Sequence, residues 1–174
     1  NKKLKNFYEN SYRNKDSTNH INFRKMHHKI NRSFASRSLA QLSLSLPCIY
    51  KKSDSLNFLD IGAGAGGSFI AAQMIFDKVN LFAMEENLEA ISFYKEKFKD
   101  ITILKNIDDK PEFMDVILMS HSLEHFDAHD IPSILESLYT ATNKDGVVII
   151  EIPNADLNDK FMLNRYEDVP HLCF

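Results

Sequence analysis

The stretch Leu56-Asn57-Phe58-Leu59-Asp60-Ile61-Gly62-Ala63-Gly64-Ala65-Gly66-Gly67 decides the fold. Leu56, Phe58, Leu59 and Ile61 make a short apolar run suited to a buried central strand. The glycines that follow permit positive φ and let a ligand approach bare backbone. From Ser68 onward, Phe69, Ile70, Ala71, Ala72, Met74 and Ile75 have helical composition. A strand, a glycine turn and a helix N-terminus in succession form a cradle for a nucleotide.

Glycine spacing alone leaves the ligand open, because Gly62, Gly64 and Gly67 also satisfy the dinucleotide pattern G-x-G-x-x-G. Asp60 separates the two readings. It sits two positions ahead of Gly62, where a negative charge would repel a pyrophosphate and favour a cationic or hydroxyl-rich ligand. Asp60-Ile61-Gly62-Ala63-Gly64-Ala65-Gly66 resembles the first motif of the class I S-adenosylmethionine-dependent methyltransferases. That resemblance implies an α/β fold, a Rossmann-like doubly wound sheet. It also implies that Asp60 and the backbone of Gly62, Gly64 and Gly66 hold the amino-acid end of S-adenosylmethionine.

Working outward, 174 residues with 44% hydrophobic content predict one domain with a substantial core. No apolar run approaches the roughly 20 residues that span a bilayer, and no charged-then-apolar leader is seen, so a cytoplasmic protein without membrane partners is expected. Cys48 and Cys173 form no pairing or zinc pattern. Charge is uneven: residues 1–52 hold twelve Lys/Arg and two Asp/Glu, and residues 53–174 hold nine and twenty-two. The expected organisation is a basic helical arm or cap at 1–52 and a cofactor-binding core at 53–174. Lys2, Lys3, Lys5, Arg13, Arg24, Lys25, Lys29 and Arg32 suit either a site for an anionic acceptor or a solvated face paired with the acidic core. Aromatic interleaving is sparse and no nucleic-acid motif is present, which disfavours nucleic acid as a partner. Leu4, Phe7, Tyr8 and Tyr12 recur at helical spacing, and the resemblance implies that such a helix caps the cofactor. A longer helix is predicted from Asn31 to Leu46, with an apolar stripe of Phe34, Leu39, Leu42 and Leu46 and an end at Pro47.

Beyond the glycine turn, Val79 to Met84 reads as the second strand. Glu85 follows it, nineteen residues after Gly66, at the spacing where an acid accepts hydrogen bonds from ribose hydroxyls. Glu86 is assigned to the start of the next helix, favouring its dipole. A third strand is predicted at Ile101 to Leu104, and the resemblance makes Asn106 or Asp108 a polar contact to adenine. The fourth strand, Met114 to Met119, enters Ser120-His121-Ser122-Leu123-Glu124-His125-Phe126. Ser120 is a further cofactor contact. Ligands of open α/β sheets bind beyond the carboxyl ends of the strands, so His121, Glu124 and His125 should face the transfer site.

Three readings of that cluster stand together. His121 or His125 can act as a metal-free general base, or Glu124 and the histidines can orient the loop. A helical turn would also place His121, Glu124 and His125 on one face, where with a distant His171 they could bind Mn²⁺ or Mg²⁺. The resembling metal-dependent subset has a glutamate where this chain has His121, which favours Mn²⁺ over Mg²⁺.

A helix at Ile131 to Thr142, a polar turn at Asn143 to Gly146 and a fifth strand from Val147 complete the pattern. The family has seven strands, so its C-terminal hairpin is expected to be missing here, leaving an open edge on which a second copy could pair as a homodimer. The expected activity is O-methylation of a small anionic, phosphorylated or saccharide-derived acceptor by S-adenosylmethionine, with Mn²⁺ or Mg²⁺ as an assisting ion. The alternatives are an NAD-dependent oxidoreductase and a non-catalytic partner subunit that binds the cofactor.

Overall fold

In the computed structural model, residues 31–49 and 55–153 are described, with side chains from residue 35 onward. The predicted Leu4 to Tyr12 helix, most of the basic arm, and His171 with the rest of residues 154–174 lie outside them. The chain runs α1 (Asn31–Ser43), α2 (Leu46–Ile49), β1 (Leu56–Ile61), α3 (Gly67–Ile75), β2 (Val79–Met84), α4 (Leu88–Lys97), β3 (Thr102–Ile103), β4 (Met114–Ser120), α5 (Ile131–Ala141) and β5 (Thr142–Glu151). Two short 3-10 turns, Ile107–Asp109 and Leu123–His125, follow β3 and β4.

The strands form one five-stranded sheet in the order β3-β2-β1-β4-β5. All four pairings are parallel. The order reverses beside β1, so the β1 and β4 loops open at the switch point where such sheets bind ligands. The predicted α/β doubly wound sheet is therefore present, with no antiparallel hairpin among the described residues. None of the described helices is long and apolar enough to cross a membrane.

Strand periodicity distributes the core. Phe58, Leu81, Ala83, Val116 and Leu118 face one side, packed with Ala35, Leu42, Phe69, Phe93, Tyr94 and Phe98 from the helices. Their neighbours Leu59, Ile61, Phe82, Ile117 and Met119 face the other, against Leu138 and Ala141 of α5. Both faces are covered, which is why β1 and β4 read as nearly continuous apolar runs. Phe69 centres the first layer, its ring 5.4 Å from Tyr94 and 5.2 Å from Phe98, both edge-on. Asn57, polar within a buried strand, is satisfied at the amino end of the sheet: its N–H donates to Asp115 Oδ2 at 2.8 Å and its amide to Glu112 Oε2 at 2.9 Å.

Several boundaries differ from expectation. The helix predicted to Leu46 stops at Ser43, and Pro47 lies in the first turn of a separate short helix, a position where its missing N–H costs nothing. Its Leu42 is buried as predicted, but Leu46 is exposed. Asn87, not Glu86, begins α4: its side chain accepts from Ala90 N, while Glu86 is exposed ahead of the helix. The polar segment Asn143 to Gly146 is an irregularity within β5, where Met114 pairs with Thr142 but Val116 pairs with Val147.

Candidate active site

Gly62, Gly64 and Gly66 adopt φ of 77°, 54° and 73°, left-handed values that L side chains rarely reach. The turn is also crowded. A Cβ on Gly62 would lie 2.2 Å from Ser122 Oγ, and one on Gly66 would press against Tyr94, Phe69 and Phe98. Ser122 donates to Ile61 O at 2.8 Å, seating the loop after β4 directly on the glycine turn. Gly62 N donates to Met84 O at 2.8 Å, and Tyr94 donates its hydroxyl to Gly64 O, so β2 and α4 brace the turn from behind.

Asp60, at the end of β1, is 4% exposed. Burial pushes its carboxyl up to about 7; the neighbouring Ser68 hydroxyl lowers it in part, and the charge of Glu85 raises it further. That Ser68 hydroxyl is itself buried without a hydrogen bond of normal geometry among the described residues. Glu85 is half-buried and spans two loops: Oε2 accepts from Gly64 N at 2.9 Å, and Oε1 from Glu86 N and Asn87 N, each at 2.9 Å. A carboxylate has about four lone-pair directions, so Glu85 keeps capacity for a ligand hydroxyl. Asn106 is exposed and turned to its own loop, its backbone and side-chain nitrogens 3.1 and 3.2 Å from Asp109 Oδ2. Ser120 is half-buried and accepts from Gln41 Nε2 at 2.9 Å.

The loop after β4 carries the predicted histidines. His121 sits at φ 53°, a strained conformation for a residue with a side chain. Glu151 holds it twice, accepting its N–H on the backbone oxygen at 2.8 Å and facing ring Nε2 with Oε1 at 3.2 Å. The other ring nitrogen, Nδ1, lies 3.6 Å from Glu124 Oε1, beyond hydrogen-bond distance. Glu124 is 2% exposed, and both of its oxygens lack a hydrogen bond among the described residues. His125, half-buried at the end of the 3-10 turn, donates its N–H to Ser122 O at 3.1 Å. His121 and Glu124 thus come together, but they do not converge with His125 as a three-donor metal group. Among the described residues that geometry is met by Asp127, His129 and Asp130, which are all exposed.

Three side chains that meet at the site escaped the sequence reading. Arg37 and Gln41 of α1 both donate to the Glu151 carboxylate. Burial opposes ionisation of Glu151, but the bonds from Arg37 and Gln41, the Arg37 charge and the His121 bond together lower its pKa. The available signal was an acid closing the apolar run Val147 to Ile150; nothing local pointed to its partners more than one hundred residues away.

A family model described as a methyltransferase domain matches residues 18–174. No curated protein sequence matches the chain significantly. In fold it is similar to S-adenosylmethionine-bound CalS10, an amino pentose methyltransferase from Micromonospora echinaspora involved in calicheamicin biosynthesis. Identity there is 11% and TM-score 0.57, over 75% of this chain and 56% of that one. The plantazolicin methyltransferase BpumL, in complex with a pentazolic desmethylPZN analog and SAH, is 18% identical with TM-score 0.55, over 73% and 49% of the two chains. A SAM-dependent methyltransferase from Archaeoglobus fulgidus is 21% identical with TM-score 0.54, over 77% and 59%. The chain thus spans about half the length of these structures, from 49% to 59%, and the likeness is one of fold. The family match covers the glycine turn, the parallel sheet and the β4 loop in one stretch, and with it the chain belongs to the methyltransferase domain family, on the class I S-adenosylmethionine-dependent fold.

Proposed function

We propose that the chain is the cofactor-binding part of an enzyme that moves a methyl group from S-adenosylmethionine to an oxygen of a small acceptor. The observation that carries this reading is the acidity of the cradle. Asp60 ionises within reach of Glu85, whose carboxylate accepts from Gly64 N on the glycine turn, and among the described residues no lysine or arginine is bonded to either. Such a site fits a ligand bearing cationic groups and hydroxyls, and would repel a pyrophosphate. Asp60 and the backbone of Gly62, Gly64 and Gly66 would hold the amino-acid end, and Glu85 a ribose hydroxyl. The bound cofactor supplies a methyl group on a cationic sulfur, already activated for in-line displacement, so the protein's share is alignment and proton handling.

His121 is suited to the proton. Glu151 fixes its Nε2 side, as a carboxylate orients a general base, and among the described residues Nδ1 makes no hydrogen bond that would compete with an acceptor hydroxyl. Arg37, half-exposed beside Glu151, supports an anionic or saccharide-derived acceptor, which one oxygen of the Glu151 pair and the guanidinium edge could both contact. Mn²⁺ or Mg²⁺ does not fit the described donor set, because the two ring nitrogens of His121 face different carboxylates and His125 does not complete the group.

Calorimetric titration with S-adenosylmethionine tests the cofactor assignment, with Asp60→Ala as control. Binding by the wild type that is lost in the variant is the expected result, and a folded wild type that gives no heat overturns it. Methyl transfer to a panel of hydroxylated sugars and sugar phosphates, compared between wild type and His121→Ala, then tests the acceptor class.

A further inference from the structure

Tyr94 is a fully buried phenol on α4, its ring edge-on to Phe69 of α3 and to Phe93 beside it. Its hydroxyl donates to Gly64 O, in the middle of the glycine turn. The same ring fills the space beneath Gly66, where a Cβ would lie 3.2 Å from Tyr94 Cε1. Gly64 is held from its other end as well, because its N–H donates to Glu85 Oε2 at 2.9 Å. Glu85 Oε1 in turn accepts from Asn87 N at 2.9 Å, and the Asn87 side chain caps α4 by accepting from Ala90 N at 2.9 Å. The helix then leads back to Tyr94, so Gly64, Glu85, Asn87, α4 and Tyr94 close a circuit. Packing alone does not call for the hydroxyl, since a phenylalanine ring would fill the same space.

We propose that Tyr94 is a positioning residue for the cofactor: its hydroxyl fixes the Gly64 peptide, and through it the Glu85 carboxylate, in the arrangement that receives the ligand. The inference rests on the S-adenosylmethionine reading above. Gly64 sits at φ 54°, and a glycine has many other conformations open to it, so the turn needs an external hold to be ready before the ligand arrives. Ordering done in the free protein is ordering that binding need not do, and affinity rises accordingly. Removing the hydroxyl would leave the ring in place but free the Gly64 carbonyl, letting the peptide rotate and draw its N–H off Glu85 Oε2. The phenol is buried and its proton is committed to Gly64 O, so it acts through the turn and not on the ligand.

The test compares wild type with Tyr94→Phe, each checked for folding by circular dichroism, by calorimetric titration with S-adenosylmethionine and S-adenosylhomocysteine and by amide exchange of the free protein read by NMR. Loss of one buried hydrogen bond should weaken S-adenosylmethionine by about three- to tenfold. S-adenosylhomocysteine, which has the same adenosine and amino-acid ends, should weaken by the same factor. The Gly64 amide should exchange faster in the variant, by a larger factor than the amides of β1. An affinity change smaller than about twofold overturns the inference, as does a loss confined to one of the two ligands. A weaker affinity without faster exchange at Gly64 also overturns it, because the effect would then not run through the turn. A Tyr94→Phe chain that does not fold overturns it too, by assigning the hydroxyl to the fold. All four outcomes leave the cofactor assignment standing, whereas a folded wild type that binds neither ligand removes that assignment and this inference with it.

Discussion

At the scale of single residues, Asp60 sets a pH dependence whose sign follows from its burial. Its carboxyl is raised from 3.8 to about 7, so between those values the unfolded chain ionises while the folded one holds its proton. The folded state then binds more protons, and stability falls as pH rises across that window, by up to about 4 kcal/mol, before levelling off. Urea melts at pH 4.5 and 7.5 should show this loss, and Asp60→Asn should flatten it. A cationic ligand favours the ionised form, so cofactor binding near neutrality should release a proton, visible as a dependence of calorimetric heat on buffer. Gly62→Ala is expected to abolish cofactor binding, since its φ of 77° and the 2.2 Å approach to Ser122 Oγ both resist a methyl group. The strain should cost about 1–3 kcal/mol in a thermal melt. These positions were legible in the sequence because an acid and glycines at fixed spacing are a local signal. The burial of Glu124 was not, since a Leu-Glu-His turn looks the same whether its carboxylate points to water or into the protein.

At the scale of elements, α1 is pinned to the carboxyl end of the sheet by polar bonds as well as by its apolar stripe. Leu42 and Ala35 enter the core, while Arg37 and Gln41 reach Glu151 at the end of β5. Arg37 and Glu151 are 52% and 37% exposed, and a pair this open to solvent contributes only about 0.2–1 kcal/mol. Arg37→Ala should therefore barely move the global unfolding transition. It should instead raise amide exchange along α1 and lower methyl transfer, because Glu151 loses the group that holds it against His121. The sequence revealed the helix but not this duty, for its hydrophobic spacing says which face is buried and nothing about which distant acid the opposite face will meet. The strands were read more closely: β1 and β2 span the predicted residues, since runs flanked by both helical layers have few alternative registers.

At the scale of the whole molecule, the order of strands and helices was readable from alternating apolar runs and turn residues, and five parallel strands are found where five were counted. What stayed hidden is how far each strand slides along its neighbour. Between the pairs Met114 with Thr142 and Val116 with Val147, β4 advances two residues and β5 advances five. Gly146 makes the detour possible, since a Cβ there would come within 2.6 Å of Thr142 Cγ2 and 2.9 Å of Met114 O. Gly146→Ala should push β5 outward, destabilising the fold by about 1–3 kcal/mol in a urea melt and weakening transfer through a site that it does not touch. The detour also acts as a buffer of length. Two residues against five is an odd mismatch, yet Val147 to Glu151 run in step with Val116 to Ser120, so the extra residues are absorbed before the pairing resumes. Length variation between Thr142 and Val147 should therefore be tolerated in odd as in even steps, with Glu151 kept beside Ser120 and His121 at the far end of the strand.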